Sequence, residues 1–187
     1  MLSDVRIVNG VEARIVEENA RGSVTHYYYT VGADGVRVHG ILRVPFFVSY
    51  TYDPPYALLP PGDFSVGTQL AEESTETAEH LLGLGSEQQS FSSQLDVVGF
   101  ETVTVPAGTF SALVVEQRRG EPDGTSTTSW LVEGLGLVKR ETEIGDGISW
   151  VDELTSATLL PEPGGGAWAA LAVLAGMAAR RRERTRH

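Results

Sequence analysis

Apolar and polar residues alternate along most of this chain, from the start to about Ala157. A period of two predicts strands with one buried and one wet face. The clearest stretch is "SVTHYYYTVGADGVRVHGILRV", where Gly32-Ala33-Asp34-Gly35 forms a turn signal between two β-rich runs. A loop of two or four residues puts Tyr27, Tyr29 and Val31 on one face with Val36, Val38, Gly40, Leu42 and Val44. His26, Tyr28 and Thr30 then share the wet face with Arg37, His39, Ile41 and Arg43.

Two more Asp-Gly turns extend the pattern. "GEPDGT" separates "TFSALVVEQRR" from "STTSWLV", and "EIGDGIS" separates "LGLVKRETE" from "ISWVDELTSAT". With "GFETVTV" feeding the middle hairpin, the three make a meander. In "VPFFVSYTYDPPYALLPPGDF", Pro45, Pro54, Pro55, Pro60 and Pro61 predict a loop or edge that crosses the sheet. "LAEESTETAEHLLGLG" fits a loose helix and a Glu/Thr-rich strand equally well. The expected fold is mainly β: a curved antiparallel sheet, open barrel or sandwich built of hairpins, plus a C-terminal apolar helix. Three regions are expected: an acidic β domain over 1–158, a Pro/Gly linker over 159–166, and an apolar helix with an Arg cluster over 167–187.

Charge sharpens that division. The chain of 187 residues carries a formal −11, but residues 1–163 hold nine Lys+Arg against 24 Asp+Glu, a body at −15. Five arginines fall in the last eight residues. So acidic a body repels phosphate backbones, which argues against nucleic acid as a partner. The absence of cysteine excludes disulfides, thiolate zinc and Cys nucleophiles.

Candidate chemistry is sparse. His26 and His39 sit where they could share a face of the first hairpin, but no local third ligand completes a zinc site, and solvent-facing histidines are the expectation. His80 lies in the Glu-rich segment and His187 in the tail. There is no G-x-S-x-G, no EF-hand spacing, and no G-x-G-x-x-G around Gly83/Gly85 or Gly134/Gly136. No catalytic residue, metal site or cofactor is therefore expected, and the reading is non-enzymatic. A hydrolase ranks last among the alternatives.

One internal motif does carry a likeness. "VTVPAGTFSALVVE" followed by "WLVEGLGLVKRE" resembles a pattern in β-rich exported bacterial proteins of unknown function. The matching residues are Pro106, Ala107, Gly108, Thr109 and Phe110, then Trp130, Gly134, Gly136 and Val138. Physically, Pro106 would end a strand, Gly108 permit a tight turn and Phe110 anchor the next strand. The pattern is also similar to half-barrel lipoprotein carriers of the bacterial envelope, which implies a concave apolar face for acyl chains.

The tail is more specific. After "SATLL" come Pro161, Glu162 and Pro163, three glycines, an apolar run from Ala167 to Ala179, and Arg180, Arg181 and Arg182. About 16 residues at ~1.5 Å each span roughly 24 Å, short of a ~30 Å hydrocarbon core but closable by thinning or Arg side chains reaching the headgroups. The order of parts resembles the PEP-CTERM sorting signal of Gram-negative bacteria. That resemblance implies transient residence in the inner membrane and recognition by an exosortase. Cleavage near the motif would then pass the body to the cell surface or extracellular polysaccharide. "MLSDVRIVNG" has neither a basic nor an apolar leader region. An exported chain needs one, so the reading frame is expected to begin upstream of Met1. The expected function is an exported surface or matrix protein. The alternative is an envelope protein that binds a lipid or small ligand, which an apolar cavity would favour over a filled core.

Overall fold

The computed structural model describes residues 5–20, 23–44, 46–60, 65–80, 82–120, 124–133, 135–145, 147–155 and 184–185. Eleven strands follow one another: β1 (Val5–Val8), β2 (Val11–Ala20), β3 (Ser23–Gly32), β4 (Gly35–Val44), β5 (Val48–Leu59), β6 (Gln69–His80), β7 (Gly85–Val105), β8 (Gly108–Arg119), β9 (Thr125–Val132), β10 (Gly136–Ile144) and β11 (Ile148–Glu153). A two-residue strand, β12 (Arg184–Thr185), lies beside β11. Each strand pairs antiparallel with the next in a single sheet, and no helix occurs among the described residues. The expected C-terminal helix, the Pro161–Pro163 motif and Arg180–Arg182 lie outside the described residues.

The sheet curls strongly. Val16 of β2 and Tyr29 of β3 share one apolar cluster with Leu95 and Val97 of β7 and Val115 of β8. Strands so far apart in the pairing order meet only if the sheet bends round on itself, as right-handed twist encourages. β1 is not paired with β11 or β12, so the curl stays open. A second cluster, with Val103, Val105, Ala112, Val114, Trp130, Val138 and Leu154, packs under the β7–β8 hairpin end. β8 is buried on both faces, which explains the unbroken run Ala112-Leu113-Val114-Val115.

The first hairpin departs from its expected register. Near the turn, Val31 pairs with Val36 and Tyr29 with Val38, but a bulge follows and Tyr28 faces Gly40. The extra residue moves every later position to the other face. Ile41 and Arg43 thus join Tyr27 and Tyr29 on the inner face, while Leu42 joins Tyr28 on the outer. That outer face is not simply wet, because Tyr28 is buried with Val8 and Ala13, against Ile15 and Leu42.

The proline-rich segment is also not the loop or edge expected of it. β5 runs through the sheet between β4 and β6. Its pairing with β6 covers Val48–Asp53 and ends where Pro54 begins. Proline has no N–H to give. Side chains take over the ladder's role: Ser74 donates to the Pro54 carbonyl at 2.7 Å, and the Ala57 N–H donates to Glu72 at 2.9 Å. Arg37 binds the same Glu72 carboxylate. Two prolines therefore cost the strand one edge locally, and two polar side chains, Ser74 and the Arg37-held Glu72, restore it. The segment "LAEESTETAEH" resolves as β6, so strand wins over helix there.

The P-A-G-T-F residues sit at the β7–β8 turn. β7 ends at Val105, opposite Gly108, whose φ of 142° favours glycine. The Ala107 N–H donates to the Leu154 carbonyl at 3.0 Å, tying this turn to the end of the sheet. Phe110 folds back over Gly108 and onto the second cluster, while Pro106 is exposed and Thr109 lies 3.0 Å from Thr104 between hydroxyls. Trp130 and Val138 belong to the same cluster; Gly134 lies outside the described residues.

Candidate functional site

The inner face of the curl does not fill itself. It encloses a cavity of about 640 Å³ lined by β3 to β11. Tyr29, Leu59, Val115, Leu131 and Leu137 form an apolar floor. Arg43, Glu87 and Ile144 line it from exposed positions, which marks the open end. Tyr27, Tyr50, Tyr52 and Tyr56 line the walls contributed by β3 and β5, and Thr125, Thr127, Ser129 and Thr142 those contributed by β9 and β10. Strand alternation puts them there, because each is two residues from the next inward position.

One arginine dominates the interior. Arg119 of β8 lies with its guanidinium 3.9 Å from the Phe91 ring centre and 5.8 Å from those of Tyr52 and Tyr56. The three rings meet edge to face, with Tyr52 and Tyr56 centroids 4.8 Å apart. Arg119 also pairs with Glu76 at 3.1 Å, and Gln89 donates to the other Glu76 oxygen at 2.9 Å. Burial works against the charged guanidinium, but Tyr52, Tyr56 and Glu76 outweigh it and hold Arg119 firmly protonated. Burial likewise pushes the Tyr52 hydroxyl well above the ordinary phenol range, helped by Tyr56 and Glu76. Burial also raises Tyr56, with Arg119 pulling the other way.

Two further polar groups of the interior are matched too. Arg140 binds Asp152 at 2.8 Å, and Gln117 donates to the Ala57 carbonyl at 2.9 Å and to Ser93 at 3.1 Å. The result is a cavity with an apolar floor and a band of polar groups already bonded to one another.

The histidines are placed differently from expectation. His39 is 5% exposed, not solvent-facing, and its Nε2 lies 2.9 Å from Thr30 Oγ1. His26 is half-buried and 3.3 Å from Glu17. Among the described residues no group of three His, Asp or Glu is placed to hold a metal. His80 lines the cavity. Burial lowers the His39 pKa, with Asp34 pulling it slightly the other way. In the unfolded chain the ring protonates near ~6.5, above its folded value, so on acidification the unfolded state binds the extra proton. This contribution is complete above the unfolded value and is lost as pH falls through the folded one. Urea unfolding at pH 7.5 and pH 5.5 should show wild type losing more stability over that interval than His39→Gln. An equal loss would remove His39 from the account.

Sequence reading missed Arg119, Glu76, Tyr52, Tyr56 and Phe91. The signal was present only as parity. Glu72 and Glu76 share an inner phase of β6 that Glu73 and Glu79 do not, and nothing short of the register assigns the phases.

No helix among the described residues is long and apolar enough to cross a membrane. Neither the curated proteins nor the solved structures contain a match to this chain. A family model described as DUF3108-like matches residues 57–151, from the second half of β5 to β11. The match spans just over half of the chain and most of the strands that build the cavity. The chain belongs to the DUF3108-like family.

Proposed function

We propose that the curved sheet is a carrier for a small neutral amphiphile, taken apolar end first into the cavity. The observation that supports this most is the cavity itself, about 640 Å³ over an apolar floor. That volume falls within the ~300–1,000 Å³ of small-molecule sites. An acyl chain of about ten carbons gains on the order of 8 kcal/mol in transfer free energy at ~0.8 kcal/mol per methylene, before ordering costs. The electrostatics favour a neutral head. Glu76 already neutralises Arg119 and Asp152 neutralises Arg140, so a carboxylate at their depth would have to displace a bonded partner, and at the mouth Arg43 lines the cavity together with the acidic Glu87. The Thr and Ser side chains of β9 and β10 suit a glycerol or sugar hydroxyl better than an ion.

Native mass spectrometry of the full chain with 1-monolauroylglycerol tests the reading. One bound molecule per chain is expected, with lauric acid bound more weakly. Absence of any adduct would overturn it.

The same proposal places the carrier outside the cell. Its support is the ordered tail of Pro161-Glu162-Pro163, the apolar run Ala167–Ala179 and Arg180–Arg182, which fits a PEP-CTERM signal presented to an exosortase. Intact mass after expression of the full reading frame, with and without exosortase, decides that part. Truncation near Pro161 only with the enzyme is expected, and an unchanged mass in both hosts contradicts it.

A further inference from the structure

The open end of the cavity carries an unusual edge. Arg43 pairs with Val48, Val48 with His80, and His80 with Gly85, so one row crosses β4, β5, β6 and β7. Arg43, Val48 and His80 of that row line the cavity. Immediately beyond it the chain turns twice, side by side. The β4–β5 turn presents Phe46 and Phe47, 70% and 43% exposed, and the β6–β7 turn presents Leu82 and Leu84, 70% and 78% exposed. Phe47 holds a φ of 52°, a left-handed backbone that a bulky residue rarely adopts. A large aromatic held there and left facing outward is the opposite of what solubility alone selects.

We propose that these two turns form a membrane-docking rim, which seats the cavity mouth on a lipid bilayer so that the amphiphile passes between bilayer and cavity without crossing water; this rests on the carrier reading above. A bilayer is the occupant the geometry favours. Four side chains on two narrow turns are a poor match for a protein partner, which needs roughly 800 Å² of complementary surface on each side. The headgroup–acyl boundary of a bilayer takes up Phe and Leu side chains without needing a complementary shaped surface. Arg43, exposed and lying 5.4 Å over the Tyr50 ring, stands one residue row behind them. From there its guanidinium reaches the phosphate layer while the tips lie deeper. The net charge of −11 predicts a zwitterionic surface in preference to an anionic one.

The chain has no cysteine, so single labels are clean. Leu84→Cys carries an NBD fluorophore at the rim, and Val66→Cys carries one in the β5–β6 connection at the opposite end. With phosphatidylcholine vesicles, the label at 84 should shift to the blue and be quenched by doxyl lipids, while that at 66 does neither. A Phe46→Ser/Phe47→Ser/Leu82→Ser variant should extract a fluorescent monoacylglycerol from those vesicles about tenfold more slowly or worse. Its affinity for the same probe in solution should stay unchanged. No response at 84, an equal response at 66, or undiminished extraction by the variant overturns the docking rim. So does a vesicle-independent shift at 84 that grows with protein concentration, which would identify a second copy as the occupant. Failure of wild type to bind the probe in solution overturns the carrier reading instead.

Discussion

Arg119→Met destabilises the fold by about 3–5 kcal/mol, the range for removing one partner of a buried ion pair. The reason is what stays behind. The Glu76 side chain is 7% exposed, and without Arg119 it keeps only neutral partners, the Gln89 amide and the Tyr52 hydroxyl. The Phe91, Tyr52 and Tyr56 rings also lose the cation packed on them. A methionine fills much of the same volume, so the loss isolates charge from packing. The double variant Arg119→Met/Glu76→Gln should recover more than half of the loss, because no buried carboxylate is left unmatched. Urea unfolding monitored by circular dichroism measures both. A single-variant cost below about 1 kcal/mol, or a double variant no better than the single, would contradict the role given to this pair.

Gly35→Ala costs about 3 kcal/mol or more, from clash and strain acting together. Gly35 has a φ of 92°, and a Cβ there would stand 2.3 Å from the Leu59 carbonyl oxygen and 2.7 Å from the Pro60 carbonyl carbon. Both obstacles are backbone, so no rotamer change relieves them. The clash lies where the β3–β4 turn meets the end of β5, beside the Leu59 that floors the cavity. For a domain of this size, the melting temperature should fall by roughly 6–12 °C. A change within 2 °C, set against that ~6–12 °C, would mean that the β5 end is free to move away.

The hairpin boundaries were legible because alternation and Asp-Gly turns are local signals. The turns at Gly32–Gly35 and Gly145–Gly147 fall where the sequence put them. What was not legible is non-local. The bulge between Tyr28 and Tyr29 reverses the facing of Ile41 and Arg43, and no residue in the hairpin announces it. The prolines at 54 and 55 argued against an internal strand, and the answer lay in Glu72 and Ser74, some twenty residues away, which supply the missing partners. β7 is 21 residues long, with only its last part, "GFETVTV", recognised as strand beforehand. The cavity escaped sequence reading for the same reason. Arg119, Glu76 and the rings of Tyr52, Tyr56 and Phe91 come from β8, β6, β5 and β7, and only the register of those four successive strands brings them side by side.

On the carrier proposal, the concave face receives a ligand and the second apolar cluster does not. Methyl-resolved NMR separates the two within one sample. Titration with 1-monolauroylglycerol should shift the methyls of Ile41, Leu58, Leu59 and Val115, which line the cavity and lie outside the second cluster, and saturate at one equivalent. The methyls of Val103, Val114 and Leu154, packed in the other cluster, should stay in place. Shifts spread evenly over both sets, or confined to the second, would contradict the account.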